Sequence, residues 1–498
     1  MLVFMVTSLV LGQAQTEILP PTEVDQTFIE QAPTTQDPDN TTPAAKSAPD
    51  LNLGAPSIEP PPGTPSFLLA NVAVSQSTQW YPNGGYTSAR ILGNVELLKV
   101  WHHSVTSFDY VGGESYSPAQ QIQHFTAAHA FLWRGRQLTI ADSFGSSNTG
   151  GNFGASLFGG GDLFGLIFAG TGASLPGGLS SFSGGTNFGG FGSQITNVTQ
   201  ATYTQSLTPR SSFTLLGSYG ISTYDGSTPN LNNSRQLSTA VQYGYQINAR
   251  STIGFLYGYR TFNYPLSTQG DLKSNIMQLF YRRVVSERLN VAVGAGPEFD
   301  NITSTIAIPI FSPPLVIKIQ TKRLNLSVHG SLEYNLKKSS LRLSYQRLST
   351  NGSGLFTGSN SDVAQATLNR RIFRAWRASF NSGYVRLNQI QQSATANLNS
   401  YQYWFTGVGI RRSLGEHLNF IASYQLHNET SINSGCVAAT GCGGRRSTML
   451  IGLSWHSRPI RLDRGREWME SPGNTNATED DQSNINNPPL PQPWGGNR

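Results

Sequence analysis

The sequence predicts an all-β protein, a single antiparallel up-and-down transmembrane β-barrel of about 16 to 18 strands, with 18 preferred. Three observations carry that expectation. From about residue 196 to residue 457 the chain repeats one unit: an alternating apolar and polar segment, a tight turn, a second alternating segment and a longer polar loop. Only 12% of the 498 residues are charged and mean hydropathy is −0.27, while 52 Gly, 19 Tyr and 25 Phe accompany many Ser, Thr, Asn and Gln. That charge content is about half that of an ordinary soluble domain. No apolar run is long enough for a membrane-spanning helix, so a helical membrane protein is excluded. Strands following one another without a helical stretch must close on themselves or leave edges. A closed barrel with its apolar face outward, a polar lumen and aromatic rims accounts for all three.

From the N-terminus, Leu2 to Leu11 is a short apolar stretch followed by Gly12-Gln13-Ala14, which reads as a signal peptide cleaved after Ala14. No Lys or Arg precedes the apolar run, which leaves the true start open, and a buried strand is the competing reading. Residues 15–66 hold eleven Pro, eight acidic residues and one Lys, the composition of an extended, disordered, acidic periplasmic linker. The barrel is expected over residues 67–458, with residues 459–498 a disordered tail on the same periplasmic side. The whole chain carries +6; removing the linker at −7 and the tail at −2 leaves a middle region of about +15. The barrel itself is basic.

Tight turns fall near residues 103, 135, 209, 249, 287, 338, 373 and 414, which divide the chain from about residue 90 into seventeen alternating segments. Both ends on one side of a membrane require an even number: either the weak alternation Leu68, Ala70, Val72, Val74 adds a first strand for eighteen, or one marginal segment is not membrane-embedded and the count is sixteen. Much of the positive charge sits at those turns: Arg210, Arg250, Arg288, Lys337-Lys338, Arg370-Arg371 with Arg374, and Arg411-Arg412. Barrels of this kind put short turns in the periplasm and long loops outside, so these positions line the inner rim, where lipid phosphates are the simplest partner.

The clearest alternation sets Leu324, Leu326, Val328, Leu332, Tyr334 and Leu336 on one face and Asn325, Ser327, His329, Ser331, Glu333 and Asn335 on the other. With the apolar face outward, Arg260, Arg323, Arg342 and Arg377 point into the lumen together with His329 and Glu333. Rings of Arg favour anions in pores. The competing reading pairs these arginines with carboxylates such as Glu333, filling the lumen. Tyr219, Tyr243, Tyr259, Tyr345, Trp376 and Trp455 run in phase with Leu and Val, as interfacial girdles do. The last strand, Thr448 to Trp455, carries Met449, Ile451, Leu453 and Trp455 on one face with Gly452 between them. It resembles in part the terminal signal read by the barrel-assembly machinery, although a long tail follows.

Residues 145–195 break the pattern, with seventeen Gly, seven Phe and a single charged residue, Asp162. On the extracellular side such an apolar insertion is either a floppy loop or a plug folded into the barrel mouth. The plug candidates are Phe158, Asp162, Phe164 and Phe168, with Asp162 capping a helical turn. Cys436 and Cys442, six apart in a Gly-rich loop of an exported chain, are expected to form a disulfide.

The run Asn197-Val-Thr-Gln-Ala-Thr-Tyr-Thr-Gln-Ser-Leu-Thr-Pro-Arg-Ser-Ser-Phe-Thr-Leu-Leu-Gly-Ser-Tyr-Gly, with Phe108-Asp-Tyr-Val-Gly-Gly and Phe131-Leu-Trp-Arg-Gly-Arg-Gln-Leu-Thr, resembles the uncharacterised porin-like outer-membrane β-barrel proteins common in acidobacteria. The similarity spans most of residues 85–457. It implies an outer-membrane compartment and a barrel architecture, and no substrate.

The function expected is a channel for small solutes, anionic ones included, or for export of an acidic polysaccharide. The alternative is a filled, non-conducting surface barrel that presents its loops for adhesion. Enzyme chemistry has the least support: the eight His are scattered, and no zinc-protease helix motif, Gly-x-Ser-x-Gly elbow or phosphate loop occurs. No cofactor, metal or nucleic acid is implied. A TonB-type receptor is disfavoured because residues 15–66 do not read as a folded plug domain, and an autotransporter because no passenger is present. Outer-membrane lipid and the assembly machinery are the expected partners; oligomeric state stays open.

Overall fold

The computed structural model describes residues 66–462, apart from 82–83, 102, 117–119, 148–193, 225–231, 266–269, 309–314, 352–355, 374, 391–399, 433–443 and 459. Every regular element in it is a strand: β1 (Phe67–Tyr81), β2 (Gly84–Val100), β3 (Ser104–Tyr116), β4 (Gln120–Trp133), β5 (Arg136–Ser147), β6 (Gln194–Thr208), β7 (Ser211–Tyr224), β8 (Ser234–Asn248) and β9 (Ser251–Asn263). There follow β10 (Leu272–Ser286), β11 (Leu289–Ile308), β12 (Leu315–Leu336), β13 (Ser339–Thr350), β14 (Ser359–Arg371), β15 (Trp376–Gln389), β16 (Ser400–Ser413), β17 (Leu418–Ile432) and β18 (Gly444–His456). Each pairs antiparallel with its chain neighbours. β1 pairs with both β2 and β18, so that Asn71 lies opposite Asn94 on one side and His456 on the other. The eighteen strands form a closed ring. Past β18 the ladder resumes at Ile460–Arg461, opposite Leu68 and Phe67, three residues beyond the expected barrel boundary at 458.

One turn device recurs at one end of the ring. Thr208, Asn248 and Ser286 each accept, through a side-chain oxygen, the backbone N–H of the arginine two residues on: Arg210, Arg250 and Arg288. Side-chain acceptors of this kind mimic a backbone turn. In all three hairpins the register slips by one residue just before the turn, at Ser206/Thr208, Gln246/Asn248 and Val284/Ser286. Such a bulge tightens the strand twist where the chain reverses. At the tight turn between β4 and β5, Gly135 takes φ +72°, a left-handed conformation that a side chain resists. The basic turns therefore crowd one end of the ring, and the long connections lie at the other.

Alternation along the strands sorts side chains to two faces, and the polarity is inverted relative to a soluble protein. The outer face exposes Leu279 (65%), Leu324 (66%), Val241, Phe255 and Leu453, while inward Ser238, Ser274 and Gln79 are fully buried. Among the expected girdle residues Tyr219, Tyr243, Tyr345 and Trp455 are exposed on the outside. Asp142 is an exception on the outer face; Thr199 Oγ1 donates to it at 2.6 Å and Asn197 Nδ2 at 3.3 Å.

The inner face departs from a uniformly polar lumen. Leu216, Ala240, Leu256, Ile276 and Phe280, from β7 to β10, pack into one inward cluster. The Phe280 ring lies against Gly254, where an added Cβ would stand 2.2 Å from Cζ. Glycine there provides the space for the ring.

Candidate functional site: the lumen and its inward-turned hairpin tip

The lumen is shaped at the long-loop end by the top of the β13–β14 hairpin. β13 pairs with β12 only as far as Arg347, opposite Val328, whereas its pairing with β14 continues through Leu348–Ser361, Ser349–Asn360 and Thr350–Ser359. The hairpin tip therefore leaves the wall and bends inward. Leu348, Ser349, Thr350, Asn351, Phe356 and Thr357 are all buried, though they belong to a hairpin end. The Asn351 side chain donates to Ser234 Oγ at 3.1 Å, on β8, and Tyr264 O–H donates to the Asn351 carbonyl at 3.2 Å. Burial, reinforced by the charge of Asp271, holds the Tyr264 phenol above its usual range, so it remains a donor. The tip thus crosses a chord of the ring, from β13–β14 to β8, and narrows the opening.

A buried ionic knot fixes it there. Arg260 on β9 and Glu298 on β11 form an ion pair at 3.1 Å with both side chains almost fully buried. Register places Ser274 of β10 opposite Arg260 on one side and Asp300 on the other, so a small side chain lies where the two charged ones must meet. Ser274 Oγ donates to Glu298 at 2.7 Å. The Ser349 N–H, free of β12, donates to both Glu298 oxygens at 3.2 and 3.1 Å, and its hydroxyl donates to Asp300 at 2.8 Å. Charge-assisted bonds to a buried carboxylate are the stronger class of hydrogen bond. On the outer side of the bend, Tyr345 O–H donates to Asp362 at 3.0 Å and Arg347 lies 3.6 Å from the same carboxylate.

The six residues singled out for the lumen all share the inward phase, but they do not form one ring. Arg260 belongs to the knot. Arg323 lies opposite Asp300 in register. Arg342 donates to Glu333 at 3.1 Å across β12 and β13, the carboxylate pairing weighed against solute selection. His329 stacks over Gly294, where a Cβ would come within 2.1 Å of its ring, and its Nδ1 is 3.1 Å from Gln278 Oε1. Arg377 stands apart, near the tight-turn end, between Arg371 of β14 and Arg411 of β16. Among the described residues no group of three or more His, Cys, Asp or Glu converges in a way that would hold a metal ion. The plug candidates Phe158, Asp162, Phe164 and Phe168, and the pair Cys436 and Cys442, lie outside the described residues.

No protein-family description and no curated protein matches this chain. Among solved structures it is similar to the ferric citrate transporter FecA, with a TM-score of 0.38 and 11% identity over 74% of this chain and 60% of that one. It is also similar to OccK2 of Pseudomonas aeruginosa in complex with glucuronate, with a TM-score of 0.42 and 9% identity over 80% of this chain and 98% of that one. OccK11 of the same organism gives a TM-score of 0.39 and 13% identity over 79% and 96% of the two chains. The chain spans 60% of the length of FecA.

The inward tip was not among the expected features. One local signal pointed to it: Leu348 is apolar on the phase that carries Arg342, Ser344 and Gln346, so the alternation of β13 fails at the residue where the strand leaves the wall. Glu298 and Asp300 likewise sit on the inward phase of β11, two apart, with Arg323 of β12 opposite Asp300 in register.

Proposed function

We propose that this chain is a porin-like channel of an outer membrane, carrying small anionic solutes through a basic lumen narrowed by the β13–β14 tip, with its tight turns and both termini on the periplasmic side. The observation that carries the reading is the inverted polarity of a closed ring of eighteen strands. Exposed Leu, Val, Ile and aromatic side chains on the outer face of every sector match a hydrocarbon environment, and rings of 16 to 18 strands in general enclose an aqueous channel. The charge balance of about +15 over residues 67–458 favours anions.

Two measurements test it. Leu279→Arg, at the middle of β10 and fully outward, is expected to destabilise the barrel by about 2–4 kcal/mol, the cost of a cation on the lipid face near the bilayer midplane. A neutral substitution, read from denaturation in vesicles, argues against lipid at that face. Purified protein in planar bilayers under a KCl gradient is expected to conduct with a reversal potential on the chloride side, and silent bilayers would reject the channel.

A second reading has its own support. The inward cluster around Leu256 and Phe280, together with the inward tip, fills part of the lumen, as a surface barrel presenting loops for adhesion would. Absence of conductance with intact folding favours it.

A further inference from the structure

We propose that the outer wall at the long-loop end holds a binding site for a lipid with a phosphomonoester headgroup, built on Arg347 and Arg386. The inference rests on the reading of the outer face as lipid-facing and is independent of conduction. Register sets Arg347 directly opposite Asp362 across β13 and β14, Asp362 opposite Arg386 across β14 and β15, and Arg386 opposite Gln402 across β15 and β16. Directly opposed residues share a face, so these four stand abreast on the outside of the barrel. The next outward row, two residues closer to the tight turns, is Tyr345, Ala364, Tyr384 and Trp404, with all three rings exposed. A line of aromatic rings with polar groups just beyond it marks a membrane interface. Depth agrees with that assignment. Trp376 and Arg386 lie ten residues apart on β15. At about 3.3 Å per residue and a tilt of about 40°, that step rises roughly 25 Å, the height of the apolar band of such barrels. With Trp376 at one interface, Arg386 reaches the headgroups of the other.

The charges in the row select the ligand class. Asp362 is largely covered, accepts from Tyr345 O–H at 3.0 Å and pairs with Arg347 at 3.6 Å. Arg386 is exposed and turns along its own strand, its Nε donating to Asn388 Oδ1 at 3.1 Å. Two guanidinium groups beside one carboxylate leave the row with a single positive charge in excess. Neighbouring strands lie about 4.8 Å apart, so the two arginines are roughly 10 Å apart at the backbone and their long side chains reach one tetrahedral group between them. Guanidinium forks match pairs of phosphate oxygens, and a phosphomonoester presents more than one such pair. A zwitterionic headgroup brings its own cation, which the arginines repel. Directly beneath Asp362, the small Ala364 lies between Tyr345 and Tyr384 and leaves a notch for the first carbons of an acyl chain. Phosphate and chain are recognised together, which separates a lipid from free phosphate.

The test uses the full-length protein in a non-ionic detergent, with bisphosphorylated lipid A, the same lipid stripped of its phosphates, and inorganic phosphate as probes, and counts bound molecules by native mass spectrometry. Lipid A is expected to bind saturably, and removal of its phosphates should weaken it roughly tenfold or more, the scale of losing hydrogen bonds to a charged group. The Arg347→Gln/Arg386→Gln double variant should show a loss of the same size. Lys273→Gln, outward on β10 at the same end of the barrel, should leave binding unchanged. Folding of each variant is checked by the retained mobility of the unheated barrel on a denaturing gel. Equal binding of the stripped lipid overturns the phosphate assignment, and inorganic phosphate bound as tightly as lipid A overturns the lipid assignment. An equal loss in Lys273→Gln, or no binding of lipid A by the folded protein, overturns the site. Two further readings keep the proposals apart. If Leu279→Arg is costly but lipid A does not bind, the lipid face stands and only the site falls; a barrel that binds lipid A but stays silent in bilayers keeps the site and loses the channel.

Discussion

Glu298→Ala is expected to be among the most damaging single substitutions in the barrel, lowering stability by about 3–5 kcal/mol, the general cost of removing one partner from a buried ion pair. The size follows from what the carboxylate satisfies. It accepts from Arg260, from Ser274 Oγ and from the Ser349 N–H, and neither charged partner reaches solvent. Its removal leaves Arg260 buried beside Asp300 and returns the Ser349 N–H to the unpaired state created when β13 left β12. Urea denaturation in vesicles reads the loss as a lower midpoint with an unchanged slope. The decisive comparison is Arg260→Met/Glu298→Met. Replacing a whole buried pair with apolar groups of similar volume is often neutral, so the double variant should recover most of the stability. If it is as unstable as Glu298→Ala, the shape of the site matters and the ion pair does not.

Much of the barrel was legible because a period of two is written residue by residue. The weakest expected strand, at Leu68 to Val74, was one of two ways to reach an even number. In the structure it closes the ring, with Val72 and Val74 exposed outward and Leu69 buried inward. Phase alone also placed Arg260, Arg323, Arg342 and Arg377 on the inner wall. Where both faces are apolar the signal vanishes. Phe255, Leu256 and Tyr257, or Leu279, Phe280 and Tyr281, show no alternation of polarity, and the inward cluster of Leu256 and Phe280 was invisible for that reason. The knot was hidden for a different reason. Ser349 and Glu298 are 51 residues apart and belong to strands that are not neighbours, so only the bend of the hairpin brings them together. The row of Arg371, Arg377 and Arg411 lies between these cases. Arg371 and Arg411 were visible at turns and Arg377 by its inward phase, but their alignment depends on the registers of two ladders, which turn chemistry and packing set together.

Removing the inward tip is expected to open the channel. Arg347 lies directly opposite Asp362, so replacing residues 348–361 with Asn-Gly joins a paired register through a two-residue turn of the kind antiparallel hairpins favour. The remaining hairpin keeps the Arg347–Asp362–Tyr345 contacts on its outer side. The inner wall loses Asn351 from Ser234, Gly358 from Leu272, and Ser349 from Glu298, while Arg260 and Ser274 still hold the carboxylate. Single-channel conductance should rise roughly twofold or more, because a ring of this strand number is wide enough for an aqueous passage once its mouth is clear. Anion preference should persist, since the arginine row at the opposite end is untouched. An unchanged conductance in a folded variant assigns the narrowest point to another part of the lumen. A variant that conducts more and loses anion preference makes the tip part of the selectivity device as well as the constriction.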